Sequence, residues 1–145
     1  MMNNTFYNEI LTDHNLHPAH KKKLEDANLV LEGVNPSCGD DIILELKEEN
    51  GVITDGAFVG SGCAISQASV DMMLELIIGK TKEEALQLAD LFSRMIKGEA
   101  KGDELEPLEE AMSLADISKM PARVKCAVLG WHTMEELLEK EAEKN

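Results

Sequence analysis

Ile42-Ile43-Leu44-Glu45-Leu46-Lys47-Glu48-Glu49-Asn50-Gly51-Val52-Ile53-Thr54-Asp55-Gly56-Ala57-Phe58-Val59 decides the architecture. Two runs of β character, Ile42–Glu48 and Val52–Val59, flank Asn50-Gly51, the dipeptide that most favours a tight hairpin turn. Upstream, Leu29–Val34 is a third stretch of the same kind. After Cys63 the period becomes helical: Ile65, Ala68, Met72 and Leu76 share one face, and Gly79 stops the run. Thr81 opens the next helix, with Glu84 three residues on forming a capping box and Ala85, Leu88, Phe92 and Met95 as its apolar face.

The remaining segments extend that pattern in both directions. Phe6, Ile10 and Leu11 among polar residues predict a short N-terminal helix ending near His17-Pro18, because a residue before proline avoids helical geometry. Residues 98–104 read as a loop, and Leu105, Leu108, Met112 and Ala115 as a short helix. Pro121 suits a first helical position, and Val124, Val128, Trp131, Met134 and Leu138 carry one face of a last helix. A helix, a three-stranded antiparallel sheet and then several helices is the α+β class, in one domain over residues 1–145.

Charge removes several functions. With 28 acidic against 14 basic side chains the chain carries a net charge of −14, which opposes nucleic-acid phosphates and anionic membrane surfaces. No stretch has the roughly 20 apolar residues of a membrane span, and the first thirty residues have no signal-peptide pattern, so a cytoplasmic location is expected. Thiols stay reduced there, and three cysteines are an odd number for a disulfide framework.

Each cysteine lies at a junction. Cys38 falls in the turn Asn35-Pro36-Ser37-Cys38-Gly39-Asp40, Cys63 follows Gly60-Ser61-Gly62, and Cys126 comes soon after Pro121, between Lys125 and Ala127. Buried filler, nucleophile and metal ligand are the three roles open to such residues. No CxxC pair selects among them. If the three converge, a tetrahedral zinc site needs a fourth donor. Asp40 offers a carboxylate from the Cys38 turn, with Asp41 as its rival. Arg123 and Lys125 beside Cys126 are candidates for stabilising a thiolate or docking a partner. His14, His17 and His20 read as solvated or locally packed, and His132 as a surface residue.

Four motifs in this order carry a resemblance: Tyr7…Ile10-Leu11-Thr12-Asp13-His14…Pro18, Asn35-Pro36-Ser37-Cys38-Gly39-Asp40, Gly60-Ser61-Gly62-Cys63-Ala64-Ile65-Ser66 and Pro121-Ala122-Arg123-Val124-Lys125-Cys126. The chain resembles the U-type iron–sulfur scaffold family (IscU and NifU-like proteins), and within it the SufU branch. Lys125 stands where the IscU branch has histidine, its Leu-Pro-Pro-Val-Lys segment is absent, and a longer stretch separates Gly98 from Pro121. The resemblance implies a SufE/NifU-like fold and a metal site on Cys38, Asp40, Cys63 and Cys126. It further implies a zinc-dependent sulfurtransferase that takes persulfide sulfur from a SufS-type, pyridoxal-phosphate-dependent cysteine desulfurase and passes it to downstream cluster assembly proteins. Cys38 is the expected acceptor. A scaffold holding iron or a [2Fe–2S] cluster on the same ligands is the alternative, and a purely structural zinc module a third reading.

Overall fold

The computed structural model describes residues 9–144, with side chains through residue 140. Helix α1 (Glu9–Leu16) leads to strands β1 (Leu29–Asn35), β2 (Asp40–Glu49) and β3 (Val52–Ser61), which form an antiparallel sheet in the order β1-β2-β3. Helices α2 (Ala64–Ile77) and α3 (Lys82–Ile96) follow, then a 3-10 segment (Gly102–Lys119) and the long α4 (Pro121–Lys144). Phe6 and Tyr7 lie outside the described residues. Among the described residues no helix is long and apolar enough to cross a membrane.

The Asn50-Gly51 turn works as its sequence predicts, with φ of 56° and 85°. It sets the β2–β3 register, in which Leu44 faces Phe58 and Leu46 faces Gly56, while β1 places Leu29 opposite Leu46 and Leu31 opposite Leu44. Those rows form the inner face of the sheet. Two glycines let helices lie close against it. A Cβ on Gly56 would stand 2.8 Å from Leu74 of α2, and one on Gly33 would stand 2.1 Å from Thr133 of α4. At the crossing of α2 and α4, a Cβ on Gly130 would meet Val70 at 2.5 Å.

Buried residues wrap nearly the whole of α2, from Ile65 to Ile77, with Ser66, Gln67, Ser69 and Asp71 among them, so its buried surface is far wider than one apolar stripe. α3 is a surface helix with its capping box intact: Glu84 N–H donates to Thr81 Oγ1 at 3.1 Å, and Thr81 N–H to Glu84 Oε1 at 2.9 Å. Thr81→Ala is expected to cost about 1 kcal/mol in a urea titration. An unchanged midpoint would mean that tertiary packing alone holds this end.

Gly102–Lys119 departs from the expected short α-helix. Its buried residues are Leu105, Leu108, Ala111, Leu114 and Ile117, a strict three-residue period, and that is the repeat of a 3-10 helix. Met112, expected on the apolar face, is therefore exposed. Pro107 lies inside the segment, and Glu109 breaks it with φ 49°, ψ −124°, a conformation that side chains with a Cβ rarely adopt.

Candidate metal centre

The register at one end of the sheet assembles the cysteines. Asn35 pairs with Asp40 across the Pro36–Gly39 turn, and Gly39 takes φ +71° to close it. That turn holds Cys38 half-buried, and Asp40, first residue of β2, points its carboxylate inward with no exposure. Gly60-Ser61-Gly62 ends β3 beside it and delivers Cys63 as the N-cap of α2, where its sulfur accepts the Ser66 N–H at 3.4 Å. Cys126 arrives from α4 and is wholly buried.

Cys38 Sγ, a carboxylate oxygen of Asp40 and Cys126 Sγ all lie within 4.8 Å of one another. The two sulfurs are 3.0 Å apart, and all three cysteines are free thiols. Cys63 is not part of that close group but adjoins it: its backbone N–H donates to Asp40 Oδ1 at 2.8 Å. Asn35 Nδ2 donates to Asp40 Oδ2 at 3.3 Å, and the Ser66 hydroxyl lies 3.2 Å from Oδ1. Asp41, the rival donor, faces the other side of the sheet and hydrogen-bonds Glu32, whose carboxyl it pushes above the usual range.

Burial pushes the Cys126 thiol well up, and Cys38, Cys63 and the Asp40 charge push it further. Cys126 is the sixth residue of α4, beyond the first turn where a helix N-terminus acts. Lys125 is exposed and lines a shallow surface cavity with Val34, Asn35, Val128, Leu129 and His132. Asn35 and Ser66 were not singled out in the sequence. The signals were there: Asn35 flanks the turn opposite Asp40, and Ser66 stands three residues into the helix that Cys63 caps.

A model of the NifU-like N-terminal domain matches residues 6–127. The chain belongs to that family. This NifU-like domain is 45% identical over 134 residues to the iron–sulfur cluster assembly scaffold protein IscU of Thermotoga maritima, covering 92% of this chain and 93% of that one. It is 39% identical over 137 residues to the zinc-dependent sulfurtransferase SufU of Bacillus subtilis, covering 94% and 92%. Among solved structures it is similar to a protein of Fervidobacterium islandicum described as an iron–sulfur cluster assembly scaffold for the SUF system. The TM-score is 0.86 at 38% identity, covering 93% of this chain and 98% of that one. The three-stranded antiparallel sheet with its helices is thus the fold of SufU and NifU-like proteins.

Proposed function

We propose that this NifU-like domain serves iron–sulfur cluster assembly as a zinc-dependent sulfurtransferase, accepting persulfide sulfur on Cys38 from a SufS-type cysteine desulfurase. The reading is carried by the half-exposed Cys38, with Asp40 and Cys126 buried directly behind it. The likeness to the Bacillus subtilis sulfurtransferase over almost the whole chain supports it.

The donor set fits a divalent cation. A carboxylate and thiols crowded in one pocket repel one another when ionised, and a bound cation removes that conflict. Cys38, Asp40, Cys63 and Cys126 would hold it, with zinc favoured by thiolate ligands. Bound there, zinc supplies the positive charge that keeps the thiols deprotonated near neutral pH. The protein's own residues divide the rest of the work. Asn35, Ser66 and the Cys63 N–H fix both oxygens of Asp40. Cys126 has no exposure and cannot reach a partner, whereas Cys63 is half-buried like Cys38 and sits at the head of α2, where its sulfur accepts the Ser66 N–H.

In this reading Cys38, on the turn it shares with Asp40, is the residue that reacts. Its thiolate attacks the terminal sulfur of the desulfurase persulfide, forming a new S–S bond on Cys38 while the enzyme's S–S bond breaks. The desulfurase cysteine leaves as thiolate and takes a proton, with no net oxidation.

Desulfurase turnover on cysteine should rise strongly with the zinc-loaded protein and stay basal with Cys38→Ala. Persulfide labelling should mark Cys38 alone. Stimulation that survives Cys38→Ala would overturn the assignment. A scaffold that builds a [2Fe–2S] cluster on the same residues is the second reading, favoured by the identity to the Thermotoga maritima protein. Iron with acid-labile sulfide after anaerobic purification, in place of zinc, would select it.

A further inference from the structure

Asp13-His14 belongs to a motif that the proposed sulfur chemistry leaves unused, and the structure gives His14 surroundings of its own. It is buried on α1, and both ring nitrogens meet carboxylates. Nδ1 is 2.6 Å from Asp71 Oδ2 on α2, and Nε2 is 2.7 Å from Glu110 Oε1 on the 3-10 segment. Asp71 is itself buried and held from the chain that follows α1, accepting the Ala19 N–H at 3.3 Å and the His20 N–H at 2.9 Å. A neutral imidazole has one N–H and one lone pair, whereas ionised carboxylates only accept. Two such short contacts are satisfied together only by the imidazolium.

Glu110 follows Glu109, the residue at φ 49° that interrupts the 3-10 segment. A strained backbone persists where its surroundings hold it. Here the neighbouring side chain is fastened to a histidine across a helix boundary, while the rest of that side chain is exposed. The strap leads without a break into α4: Met120 N–H bonds Ile117 O, and Arg123 N–H bonds Met120 O.

We propose that protonated His14 is a clasp that fastens the Gly102–Lys119 strap to α1 and α2, and that the clasp opens as pH rises. Among the described residues, the charged groups facing the ring are Asp71 from α2 and Glu110 from the strap. Glu75, one turn along α2 from Asp71, is engaged by His20. On α1 itself Asp13 is exposed, as is His17 just beyond its end. Burial lowers the His14 pKa, but hydrogen bonds to Asp71 and Glu110 and their charges outweigh it, so the net direction is upward from 6.5. The sign follows from that direction. The clasp contributes its full stability below about 6.5. That contribution is lost as pH rises through the higher folded-state value, and the exposed Glu110 is the end released. None of these residues is a candidate metal ligand, so the device stands apart from the sulfur chemistry.

The test uses the full chain with imidazole nitrogen NMR and hydrogen exchange across residues 107–118, corrected for intrinsic pH dependence. Both His14 nitrogens should carry protons at pH 6.5, with a midpoint above that value. Strap exchange should quicken about three- to tenfold as pH passes the midpoint, the scale of one partly exposed charged hydrogen bond. Glu110→Gln, a surface change that leaves the core intact, should show fast exchange already at pH 6, little pH response and a lowered His14 midpoint. His14→Gln should match it wherever it folds. A singly protonated ring at pH 6.5, or strap exchange equally slow at pH 6 in wild type and Glu110→Gln, would overturn the proposal.

Discussion

Trp131→Ala is expected to remove about 3–5 kcal/mol of folding stability, the scale of truncating a fully buried aromatic. Trp131 is the largest fully buried side chain of the protein, on α4 where that helix crosses α2 and α3. Its ring stacks on Phe92 of α3 with centroids 4.4 Å apart and planes 9° from parallel. Its indole N–H donates to Ser69 Oγ at 3.2 Å, and Ser69 donates on to the Ala127 carbonyl at 2.6 Å. One residue therefore joins three helices by packing, stacking and a hydrogen-bond relay. Domains of this size hold only about 5–15 kcal/mol in total, so the loss approaches unfolding. Guanidinium titration followed by circular dichroism measures it, because the variant lacks the protein's only tryptophan. Trp131→Phe keeps the ring stack and loses the indole N–H, so it should cost less than half as much. Equal losses from both variants would place the energy in the relay instead of the packing.

Trp131 also shows what a one-dimensional pattern can deliver. Its place on the face Val124, Val128, Trp131, Met134, Leu138 is readable from helical spacing, and Trp131, Met134 and Leu138 are indeed fully enclosed. Asn50-Gly51 and the Thr81–Glu84 box are equally legible, because each interaction closes within a few residues. Gly102–Lys119 is where that reading failed. Leu105, Leu108, Met112 and Ala115 satisfy an α-helical template, yet Leu105, Leu108, Ala111, Leu114 and Ile117 satisfy a period of three, and Pro107 inside the segment favours the latter. His14 was illegible for a different reason. Its partners lie 57 and 96 residues away, and no local pattern announces a contact of that range. The cysteine cluster falls between these cases. Motif order pointed to Cys38, Asp40, Cys63 and Cys126, but only the strand register reveals why Asp40 and not Asp41 turns inward, with Asn35 opposite it.

Gly62→Ala is the change expected to damage the site most without touching a candidate ligand. A Cβ there would stand 2.5 Å from Asp40 Oδ1 and 2.7 Å from Ser66 Oγ, closer than atoms of these types approach. Asp40 is fully buried, so its carboxylate has no solvent to swing into and must give up its bonds to Ser66 and the Cys63 N–H. Outer supports of this kind are worth about 10–100-fold in metal affinity, and zinc affinity by chelator competition should fall by that amount. Sulfur uptake from the desulfurase should fall with it. Gly39→Ala is the control, since Gly39 lies in the Cys38 turn on the other side of Asp40, with φ +71° and nothing within 4 Å of a built Cβ. It should cost about 1 kcal/mol in stability through backbone strain, with zinc affinity near that of wild type. Unchanged zinc affinity in Gly62→Ala would remove Asp40 from the ligand set and leave three sulfurs to hold the metal. Loss in Gly39→Ala as large as in Gly62→Ala would instead trace the affinity to the shape of the Cys38 turn, with the carboxylate secondary.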